Sequence, residues 1–434
     1  MQILIITRNA WDDTNSIGNT VSNFFGGIPD AEFANLYFRA ALPNNHLCRR
    51  YFQITEKDLL RNWLTPSKIG RPFFYDAESK PAPSEHRGGA REKRIISLIH
   101  RYHIRPARLL SDCLWDSRKW CNQKLDAFIE DFKPDLMFTF VKALPQYYQA
   151  IRYLRERFDI PLLTWIADDE YTGYLRGRKT RQIQKLQAEL KTSAAVRGCS
   201  QEICDYYNSV FDCRAIPLYK GCDLSTPVKT QTGNPLRIVY AGNLLFGRLE
   251  ILRGISAALE EYAAASGKEL AFDIYSGTPL TESERQTCFG RNRCTTFRGR
   301  ERYEVIKARL AEADVVLFAE SFEAEEILKT RYSFSTKIID YLQSGSVVLA
   351  VGPECLASIR YLRAIPGTFV IHQPEDIRTM LPLLLNDAEH FGQRAAQTRS
   401  FAGRHHDANA LSAELQRLLR SVANNQRTEQ GPAV

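Results

Sequence analysis

Two hydroxyls, an ammonium and a carboxylate fall within one short span of FSTKIIDYLQSGSVVLAVGP, residues 334–353. Ser335 and Thr336 are residue types that cap a helix start, because their oxygens accept from backbone N–H groups lacking an intrahelical partner. Those N–H groups and the helix dipole also make a helix start a site for phosphate oxygens. Thr336 and Asp340, four apart, share one face, with Lys337 between them. Gly345 suits the left-handed residue past a helix end, and SVVLAV reads as a β-branched strand covered on both sides. Taken alone, the stretch is equally an ordinary helix–strand unit with ordinary caps, so the rest of the chain has to decide.

Other residue types that do chemistry are dispersed. Ten cysteines (Cys48, Cys113, Cys121, Cys199, Cys204, Cys213, Cys222, Cys288, Cys294 and Cys355) include no C-x-x-C pair. Reduced thiols packed as small core residues are expected, not a zinc site. The eight histidines form no H-E-x-x-H pattern, and the adjacent His405 and His406 would point apart on a helix. No bound metal and no resident cofactor are expected. Lys and Arg number 58 against 50 Asp and Glu, a formal net charge of +8. That excess favours an anionic partner, such as a nucleotide, phosphate or lipid headgroup, without choosing among them. Nucleic acid is not expected, since the cations are not interleaved with an aromatic platform or set in a known motif. The start, MQILIITRNAW, places a short apolar run before Arg8, the reverse of a secretory signal, and no segment reaches bilayer-spanning length. A cytoplasmic location is expected.

The elements that must hold these residues repeat in two series. QILIIT (2–7) is a strand, followed by a loop, WDDTNSIGNT, and the helix-like VSNFF. AEFANLYF (31–38), DLMFTF (135–140) and PLLTWIA (161–167) read as further strands, the last two each after a helical stretch. AVRGCS (195–200) and RAIPLY (214–219) are two more, around a helix. A polar Pro/Gly-punctuated linker covers 224–236, and beyond it the pattern restarts with LRIVYAG (236–242), LAFDIYSG (270–277), TTFRGR (295–300), ADVVLFAE (313–320), the opening stretch and GTFVIHQ (367–373). Strands alternating with helices predict doubly wound parallel sheets. The architecture expected is α/β, with two Rossmann-like domains, 1–225 and 236–400, facing a cleft, then a C-terminal helix and disordered tail over 401–434. Ligands in such sheets lie beyond the carboxyl ends of the strands, hence in the cleft. Residues 45–120 fit poorly and read as a basic helical insertion. Within it, cations such as Arg91, Lys93, Arg94 and Arg101 are spaced around Ile95, Ile96, Leu98 and Ile99. That segment is either a solvated helical face or a contact with an anionic membrane surface.

The second series resembles the donor-binding half of GT-B glycosyltransferases, in particular the large group often called family 4. IPLYKGCDL (216–224) resembles the family's Ile-Pro-Asn-Gly-Val-Asp segment, and YAGNLLFGR (240–248) its Val-Gly-Arg-Leu-x-x-x-Lys loop. FRGR (297–300) resembles its Phe-x-Gly segment, and 334–353 its last signature, where an acid precedes a Gly by five residues. The resemblance implies a glycosyltransferase that takes a nucleotide-diphosphate sugar and a glycan or lipid-linked acceptor. The implied setting is bacterial surface polysaccharide or glycolipid assembly, peripheral to the inner face of the plasma membrane.

Carried over residue by residue, the resemblance puts Gly242 where backbone approaches the diphosphate and Arg248 where the family keeps a neutralising Lys. Asn243 replaces a family Arg, a charge that Arg298 or Arg300 could supply. Ser335, Thr336 and Lys337 would cradle the diphosphate, and Asp340 matches the second Glu of a paired-Glu motif that binds ribose hydroxyls. Tyr332 stands where the first Glu belongs, with Glu325 and Glu326 nearby. In the first half Gly18 matches a Gly-rich loop after the first strand. WIADDEY (165–171) stands where the family often has a His-Asp pair, so Asp168 or Asp169 could deprotonate an acceptor hydroxyl or stabilise charge on the sugar. The alternative for these acids is capping of the following helix. Two other functions stay open: a nucleotide-sugar epimerase on the same fold, and a non-catalytic nucleotide-sugar binder.

Overall fold

The computed structural model describes residues 1–76, 105–172, 180–290 and 292–424. Two sheets organise them. The first has the order β4-β3-β2-β1-β5-β6-β7-β8, from β1 (Gln2–Thr7), β2 (Glu32–Tyr37), β3 (Arg50–Gln53), β4 (Arg71–Phe74), β5 (Leu136–Phe140), β6 (Leu162–Ile166), β7 (Ala195–Gly198) and β8 (Ile216–Pro217). Only β4 runs antiparallel to its neighbour. The second has the order β11-β10-β9-β12-β13-β14, all parallel, from β9 (Leu236–Ala241), β10 (Leu270–Tyr275), β11 (Thr295–Gly299), β12 (Val315–Ala319), β13 (Val347–Val351) and β14 (Phe369–Ile371). Helices cover both faces, so the central strands are apolar throughout: Ile3 to Ile6, Val315 to Phe318 and Val347 to Val351 are all buried.

Several local expectations change. The first helix is Ser16–Phe25, beginning before VSNFF, because the Asn15 side chain accepts from Gly18 N–H and supplies the cap. Gly18 is therefore in a first helical turn and not on a loop, packed against the Asp12 backbone. The insertion over 45–120 is not purely helical. It adds β3 and β4 to the sheet edge, and helix Glu56–Arg61 starts with a reciprocal Thr55–Asp58 capping box. The basic segment around Ile95 and Arg101 lies outside the described residues, as do the last ten residues. No helix among the described residues is long and apolar enough to cross a membrane.

The chain crosses between halves twice. After β14 and helices Ile377–Asn386 and Phe391–His405, it returns to the first half. There helix Ala408–Ala423 buries Leu415, Leu418, Leu419 and Val422 against helix Ser16–Phe25 and the β5–β6 region. Ser412 Oγ donates to the Gly27 carbonyl at 2.9 Å, and Cys222 N–H donates to the His406 carbonyl at 2.6 Å where the outgoing and returning chains meet.

Candidate functional site

In both sheets the strand order reverses beside the first strand, and such switch points open a crevice outside the carboxyl ends of the strands. In the second sheet that point lies between β9 and β12. β9 delivers Gly242, and β12 delivers Glu320. The loop between Gly242 and Gly247 then leads into helix Arg248–Ser266, whose start has no side-chain cap.

Arg248 is not the open cation that the sequence suggested. It is 6% exposed and Glu320 is 4% exposed. Nε donates to Glu320 Oε2 at 3.1 Å, while Nη2 donates to Oε1 at 2.7 Å and Oε2 at 2.8 Å. Nη1 donates to Asn243 Oδ1 at 2.6 Å, which also accepts from Leu245 N–H. Burial opposes this charge, and Glu320 more than restores it, so the guanidinium lies above its ordinary range. A fork this fully engaged braces the loop.

Lys337, half-buried beside this loop, is a cation without an ion pair among the described residues. Its Nζ sits 5.4 Å from the Tyr240 ring centroid and makes no hydrogen bond among the described residues. Burial, then Arg248, pushes its pKa down to about 7 against the smaller pull of Glu320 and Asp340. Gly242 is what makes room for it, since a Cβ there would come 2.0 Å from Lys337 Nζ.

Helix Lys337–Leu342 corrects the capping expectation. Thr336 is already in helical conformation (φ −59°, ψ −18°), and no side chain caps the start. The preceding turn is held from outside: Ser335 N–H donates to Ser358 Oγ at 3.2 Å, and Ser358 Oγ donates to the Ser333 carbonyl at 2.9 Å. The Thr336 hydroxyl instead faces the first half, 3.5 Å from Ser16 Oγ. Gly345 does take the left-handed conformation, φ +80°. Asp340 Oδ1 accepts from Tyr303 OH at 3.0 Å and lies 3.8 Å from Lys220 Nζ, which donates to Asn19 Oδ1 at 2.8 Å. Asp340 thus joins a network that reaches helix Ser16–Phe25.

Of the remaining sequence candidates, Arg298 is engaged on its own sheet, where Nε donates to Asp273 Oδ1 at 2.8 Å. Arg300 is the one that crosses, with Nη2 3.5 Å from Thr14 Oγ1. Tyr332 is no sugar-binding acid replaced in kind: its ring stacks on Tyr206 of the first half, centroids 4.3 Å apart and 13° between planes. Glu325 is exposed, and Glu326 Oε1 accepts from Lys329.

The acids after β6 divide. Asp169 is buried, and its Oδ1 accepts from the N–H groups of Tyr171 and Thr172, the capping role. Glu170 is also buried, accepting from Lys142 Nζ at 2.7 Å and Ala143 N–H at 3.1 Å. Asp168 alone stays open to solvent, 3.3 Å from Lys142 Nζ and accepting from Ser333 Oγ of the second half at 3.3 Å. Sequence reasoning passed over Glu320, Tyr303, Lys220 and Lys142. Of these only Glu320 left a signal, an acid ending a fully apolar strand at the switch point.

The sequence matches no family profile and no curated protein. Solved structures do match. Sucrose-phosphate synthase from Thermosynechococcus elongatus has a TM-score of 0.63 at 11% identity, covering 97% of this chain and 98% of that one. HepE of Anabaena in complex with UDP and glucose has a TM-score of 0.59 at 11% identity, covering 97% and 100%. An α,α-trehalose-phosphate synthase (UDP-forming) from Burkholderia xenovorans has a TM-score of 0.59 at 11% identity, again over 97% and 100%. Two parallel-sheet halves with these matches along nearly the whole chain define the GT-B fold of glycosyltransferases.

Proposed function

We propose that this chain is a divergent glycosyltransferase of the family 4 type. It moves a sugar from a nucleoside-diphosphate sugar to an acceptor hydroxyl. One observation carries the reading: Lys337, a half-buried ammonium with no hydrogen bond or ion pair among the described residues, stands over Gly242 at the switch point of the second sheet. The uncapped start of helix Arg248–Ser266 lies at the end of the same loop. A diphosphate supplies the charge that both features favour. Arg248 acts by holding Asn243 and Glu320, not by touching phosphate. Asp340 offers its carboxylate to ribose hydroxyls. The acceptor oxygen bonds to the anomeric carbon as that carbon's bond to the diphosphate oxygen breaks. The electron pair of the broken bond leaves with the nucleoside diphosphate, and the acceptor proton passes to Asp168. Assembly of surface polysaccharide or glycolipid is the setting proposed.

Calorimetric titration with UDP and UDP-glucose, nucleotides named in the HepE complexes, tests this. Saturable binding of both is expected. Asp340→Asn should weaken the two about equally, by about 1.5–3 kcal/mol, because the ribose is common to both and a charged acceptor is lost. If the wild-type chain binds neither nucleotide, nor any other nucleoside diphosphate, the reading falls. Formation of a second UDP-sugar without any acceptor would mark an epimerase, and binding without UDP release would mark a binder.

Turnover should also survive a chelator, since cationic side chains and a helix start neutralise the diphosphate in this reading. Complete loss in chelator with recovery in magnesium or manganese would contradict it.

A further inference from the structure

One short run of the second half touches the first half at most of its residues. It spans Tyr332 to Thr336, between helix Ala324–Thr330 and helix Lys337–Leu342. The half-buried Tyr332 ring lies on that of Tyr206, in helix Gln201–Phe211, with centroids 4.3 Å apart and 13° between planes. The Tyr332 carbonyl accepts at 3.2 Å from Ser200 Oγ, the N-cap of that same helix. Ser333 Oγ donates to Asp168 Oδ1 at 3.3 Å. The buried Phe334 ring sets its edge against Tyr219, centroids 5.5 Å apart, and Thr336 Oγ1 lies 3.5 Å from Ser16 Oγ.

Both partners of the ring stack are fixed from outside it. On the second half, Ala357 N–H donates to the Arg331 carbonyl at 2.9 Å, and Ser358 holds Ser333 and Ser335. On the first half, the Tyr206 hydroxyl is 2.7 Å from Thr172 Oγ1. Two rings held in this way meet with little further loss of side-chain freedom, and a stacked pair contributes beyond the area it buries. The run then passes straight into Lys337, and helix Lys337–Leu342 has no side-chain cap to fix its start. What holds the run therefore sets how Lys337 and Asp340 enter the crevice.

We propose that Tyr206 and Tyr332 are positioning residues, whose stack clasps the two halves and, through the run up to Thr336, places Lys337 and Asp340 for the nucleoside diphosphate. Ser333 rides on the same run, so a seated clasp also brings Asp168 opposite the donor residues. The proposal rests on the glycosyltransferase reading for the identity of the ligand. The coupling of the halves through the stack does not.

The test uses the full chain and two readouts. In the first, hydrogen exchange of a peptide covering residues 331–342 is followed by mass spectrometry without nucleotide. Tyr206→Ala should speed exchange in that peptide roughly 3- to 10-fold, the worth of a stacked aromatic pair, although the substituted residue lies in the other half. Tyr206→Phe keeps the ring and should exchange as the wild type does. A Tyr206 that serves only its own helix would leave this peptide unchanged, and that result overturns the clasp. In the second readout, UDP is titrated by calorimetry. Tyr206→Ala and Tyr332→Ala should each weaken UDP by a similar factor, and the double variant by no more than either, because all three lose one and the same interaction. Losses that multiply in the double variant, or unchanged affinity in both single variants, overturn the positioning role. Should Tyr332→Ala fail to fold, Tyr206→Ala and its Phe control carry both readouts. If the wild type binds no UDP, the donor reading fails, and exchange without nucleotide still decides the clasp.

Discussion

Arg248→Ala is expected to destabilise the protein by about 3–5 kcal/mol, the cost of leaving a buried carboxylate without its partner. Glu320 is 4% exposed and takes three of the arginine's contacts. Alanine removes every one of them and leaves the charge in place. Asn243 loses its 2.6 Å contact as well, so the loop over the switch point loosens. Denaturant unfolding should show a lowered midpoint. Replacing both partners with apolar residues of similar volume, as in Arg248→Met with Glu320→Leu, should recover most of the loss. A variant with an unchanged midpoint and weakened UDP binding would instead make Arg248 a direct phosphate ligand.

Lys337→Met should act in the opposite sense on stability and strongly on ligand. Met keeps the volume over Gly242 but brings no charge, so UDP affinity should fall by about 1.5–3 kcal/mol, roughly 10- to 150-fold. Because the folded pKa is about 7 against an ordinary 10.5, the unfolded chain holds this proton between those values and the folded chain does not. Stability from this group therefore rises with pH across that window, and its full cost is felt below pH 7. Lys337→Met should remove that dependence and gain most in acid. Bound diphosphate favours the ammonium, so UDP should bind more weakly as pH rises above 7 and take up a proton on binding there. Titrations in buffers of different ionisation enthalpy measure that uptake. Equal heats in all buffers at pH 8 would show that Lys337 does not meet the diphosphate.

The strand–helix alternation was readable because buried parallel strands write themselves as apolar runs, as Ile3–Ile6 and Val347–Val351 do. Gly345 was readable for a backbone reason, its positive φ. What sequence could not supply was partnership at a distance. The Arg248 partner lies 72 residues away, so a cation at the right place in a motif looked free when it was not. Thr336 looked like a cap because local chemistry allows it, yet Ser358, 23 residues beyond Ser335, holds the turn. Asp168 and Asp169 are neighbours in sequence, and only the backbone turn at Tyr171 and Thr172 separates an open carboxylate from a capping one. The extra edge strands β3 and β4 escaped notice because they are four residues each, too short to display a period.

The return of helix Ala408–Ala423 to the first half makes the two halves unequal as pieces of chain. A cut anywhere in 224–235 leaves the second half still tied to the first through the residues after His405, with Leu415, Leu418 and Leu419 seated among first-half side chains. The first half expressed alone as residues 1–225 would expose the apolar surface that this helix covers, and would be prone to aggregate. Exchanging the second half for that of another GT-B chain therefore requires two junctions, one before β9 and one near Asp407, with the native last helix kept on the first half.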